Sequence, residues 1–155
     1  MDQSEKNLLA ICERIEDLAR QAYRKLAQVH AADGELAALW SKTSVEEENH
    51  ALQFRMSPMM MDSMVGQLSV TIADGISATR RLLAFLQRCD ASPPGPIEAL
   101  REMIDFEQSL ARFHMENAAV FNRVEHRKLF HAMMNADRDH VGALQAALER
   151  RTRKA

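Results

Sequence analysis

Two short segments of the chain each carry a carboxylate and a histidine three residues apart, a spacing that suits metal binding on a helix. The first pair is Glu47 with His50, within VEEENHALQF, and the second is Asp137 with His140. Residues three apart on a helix lie on one face, one turn from each other, so both side chains can reach the same ion. The expected chemistry is coordination of a cation by carboxylate oxygen and imidazole nitrogen.

The pattern around these pairs occurs twice. Glu16 is followed seven residues later by Tyr23, and Glu107 is followed seven residues later by His114. This second set lies 91 residues after the first, and the two carboxylate–histidine pairs are 90 residues apart. Each half of the chain therefore supplies three candidate ligands. The six candidates are Glu16, Glu47, His50, Glu107, Asp137 and His140.

Four long segments have apolar residues at helical spacing, and each candidate ligand falls on one of these faces. The predicted helices run from about Glu5 to Val29, from about Glu35 to Met56, from the end of ASPPGP to about Phe121, and from roughly Glu125 to Arg150. The faces predicted to be buried comprise Leu9, Cys12, Glu16, Ala19, Tyr23 and Leu26; Trp40, Thr43, Glu47, His50 and Phe54; Leu100, Met103, Glu107, Leu110, His114 and Phe121; and Phe130, Met133, Asp137, His140, Leu144 and Leu148. No Lys or Arg stands on any of them to neutralise the carboxylates.

Four carboxylates directed into one helical core require positive charge. An unpaired buried ion costs several kcal/mol even after the protein relaxes, so the pattern indicates a bound metal. Carboxylates with imidazoles and without thiolates suit Fe or Mn, with Zn as a further option, whereas Ca or Mg sites would not need the imidazoles. Cys12 and Cys89 form no CxxC pair, which argues against a zinc knuckle or a rubredoxin-type iron site.

Some forty residues connect the second and third predicted helices. The connection begins with a Met-rich stretch, residues 56–64, which could bind a soft metal or could serve as apolar cover or a dimer face. The segment DGISATRRLLAFLQRC then predicts a short amphipathic helix. A connection this long could run the length of a bundle and start the third helix at the opposite end.

Composition sets the wider limits. The 155 residues, of which 46% are hydrophobic and 27% charged, suit a single domain over 1–155, and few Gly and Pro favour an all-α fold. A net charge of −2 gives no reason to expect nucleic acid or an anionic membrane as partner. No run of about 18 apolar residues and no signal peptide are found, and unpaired cysteines fit a cytoplasmic location.

With this ligand pattern, the chain resembles the ferritin-like superfamily, and within it the rubrerythrin-like branch that lacks a rubredoxin domain. The resemblance implies a four-helix bundle with one long crossover containing an extra short helix, two bound Fe ions (or Mn or Zn), and a homodimer. It also implies oxidation of Fe(II), or reduction of O2 or peroxide, with an unidentified electron donor. In the family pattern Glu47 and Asp137 would bridge the metals, while Glu16 and Glu107 would be terminal ligands. Leu110 stands where rubrerythrins carry a further glutamate.

Several alternatives stay open at this level. The chain could be a non-catalytic metal-binding or storage protein, or a helical interaction module with a vestigial site. Tyr23 and His114 are expected beside the ligands, Tyr23 beyond bonding reach of the site, but both could equally be core residues. Glu46 and Glu48 are expected to face solvent, and His30, His126 and His131 to lie at the surface or at helix ends. Asp137, one methylene shorter than Glu47, predicts a looser hold on the metal bound by His140 than on the one bound by His50.

Overall fold

In the computed structural model, residues 3–57, 68–121 and 124–153 are described, and this part of the chain is helical with no strand. Its five helices are α1 (Gln3–Val29), α2 (Gly34–Met56), α3 (Leu68–Ala91), α4 (Pro96–Val120) and α5 (Val124–Thr152). The prediction of an all-α fold is confirmed. Four of the five helices begin and end within a few residues of the sequence prediction, and α3 does not.

The turn between α1 and α2 is closed by Asp33. Its carboxylate accepts a hydrogen bond from the backbone N–H of Leu36 at 3.0 Å and so caps the first turn of α2. The same carboxylate accepts from Arg151 near the end of α5 at 2.7 Å. Pro96 begins α4, a position where its missing N–H has no intrahelical role.

Ion pairs near the helix ends fix the directions of the helices. Arg55 at the end of α2 pairs with Glu13 near the start of α1 at 2.7 Å, so α1 and α2 are antiparallel. Arg150 near the end of α5 pairs with Glu35 at the start of α2 at 2.8 Å, so α2 and α5 are antiparallel as well. Glu107 of α4 lies 3.5 Å from His140 of α5, and His114 of α4 lies 2.7 Å from Asp137 of α5, so α4 and α5 are antiparallel and α2 and α4 point the same way.

Helix α3 carries the chain from the end of α2 back along the bundle. Lys25 near the end of α1 pairs with Asp90 near the end of α3 at 2.5 Å, so α3 runs parallel to α1. An added Cβ on Gly75 would lie 2.5 Å from Ile11 of α1 and 3.3 Å from Phe113 of α4. Helix α3 therefore covers the groove between α1 and α4, and only a glycine allows this approach.

The prediction of a short crossover helix is wrong in length. Helix α3 has 24 residues, against 23 in α2. Its first turns contain Val70, Thr71, Ile72 and Gly75, residues of low helix propensity, so the sequence pattern predicts a later start. Burial of Gly75 against α1 and α4 favours helix here, as tertiary contacts commonly do.

The predicted buried faces form the core. All of their members are buried except Leu148, which is half-buried. Trp40 and Phe130, at equivalent positions of the two halves, are both fully buried. Of the Met-rich segment 56–64, Met56 is exposed and Ser57 is buried, and the rest lies outside the described residues.

Two of the histidines expected at the surface or at helix ends do lie at helix ends, and they are buried there. His30 directly follows α1, and its Nδ1 accepts a hydrogen bond from the Trp40 indole N–H at 3.1 Å. Its Nε2 then donates to the carbonyl of Pro94 at 3.0 Å. His126, in the first turn of α5, is also buried, while His131 is exposed as expected. Within the described residues, no helix combines the length and apolarity needed to cross a membrane.

Candidate metal centre

Two groups of carboxylate and imidazole atoms lie close enough together to hold a metal ion. In each group, the ligand atoms are all within 4.8 Å of one another. We call Glu16, Glu47 and His50 the His50 half-site, and Glu47, Glu107 and His140 the His140 half-site. Every member is buried. Glu47 belongs to both.

The two oxygens of Glu47 face different half-sites. Oε2 lies 3.0 Å from Nδ1 of His50, and Oε1 lies 3.0 Å from Nδ1 of His140. Glu16 Oε2 approaches the same His50 nitrogen at 3.7 Å, and Glu107 Oε2 approaches the same His140 nitrogen at 3.5 Å. One carboxylate on α2 thus connects two sets of ligands drawn from four helices.

Asp137 is the predicted ligand that lies in neither half-site. Its Oδ2 is 2.7 Å from Nδ1 of His114, with the geometry of a hydrogen bond. The other ring nitrogen of His114 is 3.3 Å from Oε1 of Glu16. His114 therefore stands between Asp137 on α5 and Glu16 on α1. The structure brings five of the six predicted ligands into the half-sites, and ligation by Asp137 stays a prediction.

Tyr23 holds the matching position in the other half of the chain. Its hydroxyl donates a hydrogen bond to Oε1 of Glu107, across the bundle from α1 to α4. It is therefore in direct contact with a predicted ligand, not beyond reach of the site. Tyr23 and His114 each follow a glutamate by seven positions, and each contacts the glutamate of the other half. Tyr23 contacts Glu107, and His114 contacts Glu16.

Many of the polar atoms in this cluster have no hydrogen-bond partner among the described residues, although they are buried. They are Oε1 and Oε2 of Glu16, Oε1 of Glu47, Oε2 of Glu107, Nε2 of His114, Oδ1 of Asp137 and Nδ1 of His140. Unpaired buried polar atoms are rare and costly. Nδ1 of His140 is close to two carboxylate oxygens without the alignment of a hydrogen bond. Lone pairs that converge in this way are the donor arrangement that a cation satisfies.

Without a cation, the histidines must carry the compensating charge. Burial alone lowers the pKa of His140, but Glu107 and Glu47 outweigh it and raise the pKa to about 11. Burial likewise opposes protonation of His50 and His114, yet the carboxylates around each ring raise both pKa values to about 10. Each of the three imidazoles therefore binds a proton tightly when no metal is there to replace it.

The carboxylates divide between charged and neutral forms. Burial, together with the charges of Glu16 and Glu107, raises the pKa of Glu47 to about 8. Burial also raises the pKa of Asp137, to about 6, against the opposing effect of His114. For Glu16, burial is outweighed by the His114 and His50 imidazoles, and its pKa falls well below the usual range. A cation would relieve the repulsion that keeps a proton on Glu47.

The donor chemistry fits Fe or Mn. The half-sites offer carboxylate oxygens and imidazole nitrogens, which suit these ions and also Zn. Cys12 is buried one turn from Glu16, but burial and the Glu16 charge raise the pKa of its thiol well above the usual value. Cys12 belongs to neither half-site and packs as a small residue of the core.

Solvent reaches the cluster from one side. Glu16, Glu47, Glu107 and Asp137 are fully buried, whereas His50 and His140 are 8% and 5% exposed. The two imidazoles lie on α2 and α5 with ring centres 5.8 Å apart. The opposite edge, between α1 and α4, is covered by α3. The open edge is therefore the one between α2 and α5.

One polar contact at this edge differs from the sequence prediction. Oε2 of Glu46 is 3.2 Å from Nε2 of His140 and forms a hydrogen bond with it. Glu48 is exposed as expected, but Glu46 is only partly exposed. Helical phase places Glu46 next to the buried face of α2. Its partner lies 94 residues away, and nothing in the local pattern identifies it.

Comparisons with known proteins add no assignment. No protein-family model, curated protein or solved structure matches the chain.

Proposed function

We propose that the protein is a ferritin-like, rubrerythrin-like dinuclear metal protein without a rubredoxin domain, with two Fe ions per chain or Mn or Zn in their place. The observation that carries this proposal is the position of Glu47. Its two oxygens face two different carboxylate–imidazole sets, and the buried atoms around them lack hydrogen-bond partners. Cations held by Glu47 and the other half-site residues would satisfy the unpartnered atoms of the half-sites and lower the electrostatic cost.

The course of the chain supports the ferritin-like assignment. Helices α2 and α4 point the same way, and α3 returns the chain along the bundle between them. A four-helix bundle with one long crossover has this topology. Each antiparallel pair, α1 with α2 and α4 with α5, carries one copy of the repeated ligand pattern.

In this proposal, the side chains around the centre have distinct tasks. Glu47 would contribute to holding both ions, while Glu16 and Glu107 would each complete one half-site. Tyr23 and His114 keep the terminal glutamates oriented through the contacts described above. Phe54 and Phe130 pack against the His114 ring, with ring centres 5.7 and 5.9 Å from it, and keep water away from that side.

The activity we propose is oxidation of Fe(II) by O2 or peroxide, or reduction of O2 or peroxide with electrons from an unidentified donor. A bound iron pair would supply two electrons together. Small oxidants would reach it at the edge between α2 and α5, where the two imidazoles are slightly exposed. The free, buried Cys12 and Cys89 suit the reducing cytosol that we propose as its location.

The first test is the metal content of protein purified without added metal. About two equivalents of Fe or Mn per chain after desalting support the proposal. If the protein contains no metal and does not bind added Fe(II) or Mn(II), the proposal is contradicted. The alternative, a helical interaction module, is then favoured.

A second test separates catalysis from storage. Iron-loaded protein is mixed with excess peroxide and a reductant, and peroxide is followed over time. Consumption through many turnovers indicates a peroxidase, whereas one turnover followed by arrest indicates a metal-binding or storage protein. The Glu47→Ala variant is the control for iron that is not bound at the site.

A further inference from the structure

The two half-sites differ in the contacts of Nε2, the histidine ring nitrogen that does not face the half-site. His140 has its inner nitrogen, Nδ1, directed at Glu47 and Glu107, and its outer nitrogen, Nε2, hydrogen-bonded to Glu46. A carboxylate on the outer nitrogen fixes which nitrogen carries the proton and holds the ring in place. In the neutral ring, which is the form that binds a metal, Nδ1 then has a lone pair that faces the half-site.

Glu46 is itself held in position. Its Oε1 pairs with Lys42, one turn earlier on α2, at 3.2 Å, while Oε2 contacts His140. With one oxygen on each partner, the carboxylate connects α2 to α5 at the open edge of the bundle. The orientation of His140 therefore depends on Glu46, which belongs to the other half of the chain.

The repeat does not reproduce this contact. By the offset of 90 residues, Ala136 of α5 occupies the position equivalent to Glu46. An alanine cannot accept a hydrogen bond from His50. In the described part of the chain, no carboxylate lies at the outer nitrogen of His50, whose contacts with Glu47 and Glu16 are through Nδ1.

We infer that Glu46 is a positioning residue for the His140 half-site and makes it the tighter of the two metal sites. This inference rests on the proposed function. It reverses the order that the short Asp137 side chain predicts, because Asp137 is engaged with His114 while Glu107 completes the His140 half-site. The first ion therefore binds with His140, and the second binds with His50.

The experiment is a titration of metal-free protein with Mn(II), following the electron paramagnetic resonance signal of the free ion. The variants are Glu46→Ala, Glu46→Gln and, as a matched control, Glu48→Ala on the exposed face of the same helix. Glu46→Ala should weaken the tighter step about 10–100-fold and leave the weaker step unchanged, as loss of such outer contacts typically does. Glu46→Gln keeps an acceptor oxygen and should fall between it and the wild type. Glu48→Ala should match the wild type.

Introducing Glu46→Ala into a His140→Ala protein tests whether the substitution acts through His140. In a His140→Ala protein, only the His50 half-site remains, so adding Glu46→Ala should not change Mn(II) affinity. Equal weakening of both steps by Glu46→Ala, no weakening of either, or an undiminished effect in the His140→Ala background would each overturn the inference. A wild-type protein that binds no Mn(II) would overturn the proposed function itself, so the two failures are distinguishable.

Discussion

Tyr23 on α1 and Glu107 on α4 are joined by a hydrogen bond across the bundle, 84 residues apart in sequence. Both side chains are fully buried. The phenol donates to one glutamate oxygen and leaves the other to face His140. Because burial and the Glu107 charge, among others, raise the pKa of Tyr23 well above its ordinary value, the phenol keeps its proton and remains a donor.

Replacing Tyr23 with Phe should retain the ring packing and remove only this donor. The Glu107 oxygen is then buried without a partner, and the expected loss of stability is about 1–3 kcal/mol. Urea unfolding of metal-free protein, followed by the emission of the single tryptophan, Trp40, measures it. Trp40 is a suitable reporter since its ring centre lies 5.7 Å from that of Tyr23. An unchanged unfolding midpoint would mean that the hydrogen bond contributes nothing.

Replacing Glu47 with Ala should abolish both half-sites, because it is the ligand they share. Replacing Glu16 with Ala should remove only the His50 half-site. Metal analysis after loading with Mn(II) and desalting should therefore give about two ions per chain for the wild type, about one for Glu16→Ala and close to none for Glu47→Ala. Glu48→Ala is the control. Retention of both ions by Glu47→Ala would exclude it as a shared ligand.

Metal-free protein should lose stability as the pH rises from about 5 to about 10. The folded-state pKa values of His50, His114 and His140 are raised to about 10, 10 and 11, and those of Glu47 and Asp137 to about 8 and 6. Over this range, the folded state keeps protons that the unfolded chain has released, so raising the pH favours unfolding. Below about pH 4.5 the depressed pKa of Glu16 acts in the opposite direction, and acid destabilises the fold.

Bound metal should reverse this trend, since ligands release protons when they bind it. The gain in melting temperature on adding Mn(II), relative to chelator, should therefore grow between pH 5 and pH 8. Thermal unfolding monitored by circular dichroism at a series of pH values provides the measurement. A gain that is independent of pH would show that the ion binds elsewhere, away from these histidines and Glu47.

Gly75 on α3 and Gly142 on α5 are a matched pair of substitution sites that tests how closely α3 packs on α1. Gly75→Ala should destabilise the protein by about 1–3 kcal/mol, because the new Cβ meets the branched side chain of Ile11 at 2.5 Å. Gly142 on α5 is exposed and has nothing within 4 Å of an added Cβ. Gly142→Ala should therefore stabilise by up to about 1 kcal/mol through helix propensity alone. Chemical denaturation distinguishes the two, and a stabilising Gly75→Ala would contradict the close packing of α3 on α1.

Helical periodicity was sufficient to predict that the six candidate ligands are buried. Glu16, Glu47 and His50 stand among apolar residues at helical spacing, so their burial follows from local sequence. Periodicity gives the face of a helix but not its axial position relative to a neighbouring helix. The contacts of Tyr23 with Glu107 and of Glu46 with His140 depend on that axial position. The sequence therefore placed Tyr23 beyond bonding reach of the site and Glu46 toward solvent, and the structure differs on both.

Turns and segments of low helix propensity account for other differences between the sequence predictions and the structure. His30 has no apolar pattern of its own, and its burial depends on the turn that places it between Trp40 and Pro94. The first turns of α3 contain residues of low helix propensity, so its start depends on contact with α1 and α4. In both cases, the deciding interactions are with residues distant in sequence.

The parallel directions of α2 and α4 have a consequence for how fast the chain folds. Each antiparallel helix pair can form from local contacts, but joining the pairs requires contacts such as Arg151 with Asp33, separated by 118 residues. Forming those contacts closes a loop that includes the whole crossover, and closing long loops costs chain entropy. Folding rates fall as contacts become less local. We therefore expect slower folding than in a bundle of the same size whose helices follow one another through short turns.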